Sequence, residues 1–180
     1  MDNKLIAKTL LTVYPTLLDY EVTLGERAQN HALCSFHAPL LTERIIDKII
    51  NLNVQQHTVH NLRLSLQRLL DRLPATEQKV VRSYYRAFEP ATNSKRRAER
   101  LGLAERTYFR KLSTATNFVA AHLPQLGINF FTWQYLLQNL PWLRQAYRRL
   151  FQPHQATGKS AGVKRHQVVK LFPNPDIVDR

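Results

Sequence analysis

Cysteine occurs once in this chain, as Cys34, so no internal disulfide framework is available and a reducing cytoplasm is the expected setting. Glycine is scarce, with 5 residues against 9 prolines. A sheet built on tight hairpins needs glycine at positive φ, whereas helices joined by short turns need little of it. No apolar run approaches the ~18 residues that span a bilayer, so no membrane-spanning segment is expected, and a membrane is not counted among the expected partners. The opening stretch MDNKLIAKTLLTVYP is interrupted by Lys8 and lacks a small-residue cleavage site, so it does not read as a secretory signal. Acidic residues number 13 against 26 basic ones. The few carboxylates lie among basic residues, and no acid–base pair or metal set suggests an enzyme or a cofactor.

What is present points to helices and to polyanions. Hydrophobic residues make up 44% of the chain, enough to bury a core. The net charge is +13, and it is unevenly placed. Residues 1–73 hold 8 basic and 7 acidic residues, residues 79–111 hold 10 and 3, and residues 141–180 hold 8 and 2. A local excess of this kind attracts DNA, RNA or anionic lipid.

The pattern divides the chain into four segments. An N-terminal helical region covers 1–73. Its first helix carries Leu5, Ile6, Leu10, Val13, Leu17 and Leu18, with a break near Tyr14 imposed by Pro15. Residues 21–42 are irregular in pattern and compatible with a helix followed by a loop around His37-Ala38-Pro39. Thr42 is a candidate cap for a helix striped by Ile45, Ile46, Ile49, Ile50 and Leu52. A separate helix is expected from Val59 to Leu73, followed at once by one capped by Thr76. Residues 74–123 form the second segment. Residues 124–151 form an aromatic-rich helical segment divided by Pro141, in which Trp133 and Trp142 are either core or a contact surface. Residues 152–180 read as a flexible basic tail. The fold class is therefore all-α, a helical bundle containing a helix-turn-helix.

The helix-turn-helix is carried by residues 94–118. Ala98 is small where a second helix crosses, and Gly102 stands where the chain must turn through a left-handed conformation. Leu101 and Leu103 flank the turn, while Tyr108 and Leu112 lie four apart and face inward. The other face of the second helix carries Glu105, Arg106, Thr107, Phe109, Arg110 and Ser113. Helices of this kind enter the major groove by their N-terminal end. Arginine at a guanine edge, or glutamate at a cytosine amine, can read sequence there.

These residues carry a resemblance. Leu73-Pro74, Glu77-Gln78, Val80-Val81, Tyr84-Tyr85 and Ala98-Glu99-Arg100-Leu101-Gly102-Leu103 resemble region four of sigma-70-type factors. With Gly102 to Leu112 (GLAERTYFRKL), the chain is most similar to ArpU-like autolysin and late-gene regulators from phages of Gram-positive bacteria. The resemblance covers about residues 55–122, more weakly the N-terminal helices. It implies a supporting helix from Ser94 to Leu101 and a recognition helix from Glu105, with Arg106, Thr107, Phe109 and Arg110 facing bases. Lys95, Arg96 and Lys111 are then positioned for phosphates. Arg97 departs from the family, which has an apolar residue there, and Ala104 replaces its Ser or Thr cap.

The expectation is a transcription regulator that binds double-stranded DNA. Lys95, Arg96, Arg100 and Lys111 would hold phosphates, and Lys159, Lys164, Arg165 and Lys170 of the tail would add non-specific affinity. RNA polymerase and a second copy of the chain are further candidate partners. A sigma-like polymerase subunit and a protein-interaction module are the rival readings. Gly158-Lys159-Ser160 looks like the end of a phosphate loop, but that motif needs glycine where Pro153 stands. His31, Cys34 and His37 recur at threes, and His57 and His60 follow, without a ligand set to complete a metal site.

Overall fold

Asp2 starts the first helix. Its carboxylate accepts the Lys4 and Leu5 backbone N–H groups, both at 3.0 Å, satisfying donors that a helix start otherwise leaves open. The structure, a computed structural model, describes residues 2–35, 42–85 and 93–151. The loop expected at His37, most of the connector at 89–93 and the basic tail lie outside the described residues.

Every element among the described residues is helical. They are α1 (Asn3–Val13), α2 (Leu17–Ser35), α3 (Thr42–Asp71), α4 (Ala75–Tyr85), α5 (Ser94–Arg100), α6 (Glu105–Ala121), α7 (Phe130–Asn139) and α8 (Pro141–Phe151). Short 3-10 turns occupy Tyr14–Thr16 and Leu123–Leu126. Pro15 interrupts the first helical stretch as expected, and α2 then runs on to Ser35, which makes residues 21–35 the helix that their pattern allowed. Pro141 opens α8 and so separates it from α7.

Two expectations are corrected. The helices expected at Thr42 and at Val59 are one, the 30-residue α3. Residues 51–58, NLNVQQHT, contain neither proline nor glycine, so nothing in the backbone forces a break, and propensity alone does not end a helix. Thr76 does not cap α4, which already begins at Ala75. The Pro74 carbonyl accepts the Gln78 N–H at 3.0 Å, so proline supplies the first acceptor. The Gln78 side chain reaches back to the Leu73 carbonyl at 2.8 Å and the Asp71 carbonyl at 3.3 Å, closing the end of α3.

The chain forms two compact units, Met1–Pro15 with Leu69–Arg180, and Thr16–Arg68. In the first, α6 is central: α1, α4 and α5 pack on it, and α8 packs on α1 and α7. Ile6, Leu10, Leu11, Tyr108, Ala115, Val119, Trp133, Leu140 and Leu143 form its buried interior. This packing groups α1 with α4, α6 and α8. In the second unit, α2 and α3 run antiparallel. Glu21 accepts from His60 at 2.7 Å and from Arg63 at 2.8 Å, and Gly25 lies against the Gln56 amide. The hydrogen bond from Arg63, then that from His60, holds the Glu21 carboxyl below its ordinary pKa against the opposing effect of burial.

Candidate nucleic-acid interface

The turn between α5 and α6 is built by the backbone. Gly102 has φ +65°, in the left-handed region, and an added Cβ would meet nothing within 4 Å. Glycine is required there for its conformation and not for space. The Gly102 N–H bonds the Glu99 carbonyl at 2.9 Å, and the Leu103 N–H bonds the Ala98 carbonyl at 2.9 Å. That pair of bonds is the Schellman ending of a helix. Ala98 is buried, and Tyr108 and Leu112 turn into the core as their spacing requires.

α6 presents its opposite side outward. At 100° per residue, Arg106, Arg110, Ser113 and Asn117 form one row facing away from Tyr108, Leu112, Ala115 and Val119. All four row residues are exposed. Neither the Arg106 nor the Arg110 guanidinium has a hydrogen-bond or ion-pair partner among the described residues. Phe109 is 39% exposed at the edge of the row and meets the Tyr108 ring edge-on at 5.7 Å. Glu105 and Thr107 flank the row. The Glu105 carboxylate accepts the Ser94 hydroxyl at 2.8 Å, which ties the start of α6 to the start of α5. Asn117 is missing from the residues read from sequence, although the three-and-four spacing that begins at Arg106 reaches it.

The cations expected on phosphates divide. Lys95, Arg96 and Arg100 are exposed on α5. Lys111 instead donates to Glu77 at 2.8 Å, with side chains 26% and 11% exposed, so a phosphate would compete with that pair. Lys159, Lys164, Arg165 and Lys170 lie outside the described residues. The hydrogen bond from Lys111 holds the Glu77 carboxyl below its ordinary pKa, although burial opposes it.

The two departures from the family pattern have different outcomes. Arg97 is half-buried, and its Nη1 donates to the Tyr84 carbonyl at 2.9 Å in the last turn of α4. A cation is well placed at the negative end of a helix, so Arg97 joins α5 to α4 where an apolar side chain would do so by packing. Its Nε and the Tyr108 hydroxyl are buried without completing a hydrogen bond among the described residues. Burial raises the Tyr108 pKa, and Ser83 and Arg97 nearby oppose that rise. Ala104 does stand at the cap of α6, and no side chain caps that end.

Glu77 and Ser94 thus hold α6, and Arg97 holds α5 to α4, without standing on the outward face of α6. Only the Leu-Pro-x-x-Glu-Gln run signalled any of them in the sequence, through the resemblance. Trp133 is buried, whereas Phe130, Phe131 and Tyr135 of α7 are exposed, so the aromatic segment supplies both core and surface. Cys34 is exposed, and no three His, Cys, Asp or Glu side chains gather among the described residues. No described helix is long and apolar enough to cross a membrane. No family model, curated protein or solved structure matches this chain.

Proposed function

We propose that this chain is a sequence-specific DNA-binding transcription regulator that reads the major groove with α6. The observation that carries the reading is the outward row on α6. Arg106 and Arg110 are exposed and their guanidiniums have no partner within the described chain, on a helix whose other side is fixed in the core. Two guanidiniums one turn apart match guanine edges or adjacent phosphates. Phe109 offers apolar surface to a thymine methyl group, and Lys95, Arg96 and Arg100 lie on the preceding helix for phosphates. Regulation of transcription, as distinct from DNA binding, rests on the resemblance to sigma region four and ArpU-like regulators.

The test is selection of bound sequences from random duplexes, followed by affinity measurement on the selected site. Arg106→Ala and Arg110→Ala should each weaken binding by about 1–3 kcal/mol and relax the preference at one or two base pairs. Circular dichroism should be unchanged, because both side chains are exposed. If the full chain selects no sequence at ~150 mM salt, where non-specific binding is weak, the helix pair is scaffold for a protein partner instead. Stoichiometric capture of RNA polymerase, with promoter-dependent initiation, would move the reading to a sigma-like subunit.

A further inference from the structure

The second unit carries an apolar stripe with nothing on it. No side chain is buried between residues 29 and 58 among those described. Yet Ile46 is 48% exposed, Ile50 53% and Val54 44%. They recur every four residues on α3, so they form one row. At 100° per residue that row lies opposite Val59, Leu62 and Leu66, the residues that α3 buries within the second unit. A helix apolar on both sides is expected where a second surface covers the outer side.

We propose that this row is a self-association surface, on which α3 of one copy pairs antiparallel with α3 of a second copy about Ile50. The sequence is self-complementary about that point. Ile50 meets Ile50, Ile46 meets Val54, and beyond them the exposed carboxylate of Glu43 meets the exposed imidazole of His57. A two-fold axis requires that each residue's counterpart also serve in return, and this row meets the requirement with no like charges opposed. Residues 16–68 hold 5 basic and 5 acidic residues, so two copies approach here without the repulsion that the rest of a +13 chain would impose. A different acidic or basic partner would find no net charge to recognise. The inference is independent of the DNA-binding reading.

Sedimentation equilibrium of the full chain tests it without DNA. The mass should rise from 21.0 kDa toward twice that value as concentration increases. Ile50→Asp should hold it at 21.0 kDa with circular dichroism unchanged, since Ile50 is already more than half exposed. A wild-type chain that remains at 21.0 kDa up to ~100 μM, well above a micromolar Kd, overturns the proposal. So does an Ile50→Asp chain that still dimerises. Register is read separately by oxidation in a Cys34→Ser background. Ile50→Cys should cross-link to its own counterpart, because a disulfide needs Cβ atoms about 4 Å apart. Ile46→Cys alone should not cross-link, but it should do so when mixed with Val54→Cys. Equal cross-linking of Ile50→Cys and Ile46→Cys alone overturns the antiparallel register.

Discussion

At the scale of single residues, α6, the helix proposed to read DNA, is held by polar side chains that lie off its outward row. Lys111 of α6 and Glu77 of α4 form the clearest case, at 2.8 Å and mostly out of solvent. Glu77→Gln removes the charge at nearly constant shape and should cost about 1–3 kcal/mol near neutral pH, toward the lower end because Lys111 can turn to water. The pH dependence follows from the direction of the shift. The Glu77 carboxyl is held below its ordinary pKa in the folded chain, so the folded state binds its proton less readily than the unfolded one. The contribution is therefore full above the ordinary carboxylate value of about 4.3 and fades as pH falls through the lower folded value. Thermal midpoints of the wild type and Glu77→Gln should differ at pH 7 and converge toward pH 3. A gap that does not narrow would place the effect in packing and not in the charge.

Arg97 explains why such residues were hard to read in sequence. The inward set of Ala98, Tyr108 and Leu112 is legible because periodicity alone fixes it, and Gly102 because its conformation is local. The partner of Arg97 is a backbone carbonyl 13 residues away, and no pattern of side chains encodes that contact. A charged residue at an apolar position looks like a flaw in register until the end of α4 is seen beside it. Ala104 differs: its lack of a capping side chain is a local property, and the sequence states it fully.

At the scale of elements, α3 and α1 show where local pattern ends. The break expected within α3 falls on a mostly polar stretch, but polarity changes which face is buried and not whether the backbone continues. α1 reads as an amphipathic helix, yet nothing in its own residues says that it packs on α6 and α8. Leu10 is fully buried there. Leu10→Ala should destabilise the unit that holds α6 by about 2–5 kcal/mol, the usual cost of a cavity in a packed core. Arg106→Ala and Leu10→Ala would then separate cleanly. The first weakens DNA binding with the thermal midpoint unchanged. The second lowers the midpoint, and its binding is restored at low temperature where the fold is still populated. If Leu10→Ala leaves the midpoint unchanged, α1 is not part of that core.

At the scale of the whole molecule, charge is divided as the two units are. The neutral hairpin of residues 16–68 leaves the entire +13 to the remainder, which contains α5, α6 and the C-terminal residues. Sequence-specific contacts and general attraction to phosphate can then be separated by salt. Each phosphate neutralised by a lysine or arginine contributes about −0.9 to the slope of log K against log salt concentration on duplex DNA. Lys159, Lys164, Arg165 and Lys170 come after α8 in sequence, outside α6, the helix proposed to read bases. Deleting residues 152–180 should weaken binding to cognate and random duplexes by the same factor, and it should make the slope shallower by up to about 3–4 if all four cations engage. The ratio of cognate to random affinity should not move, because phosphate contacts carry no base information. A deletion that lowers the ratio while sparing the slope would assign base contacts to that segment, and the reading helix would no longer account for specificity alone.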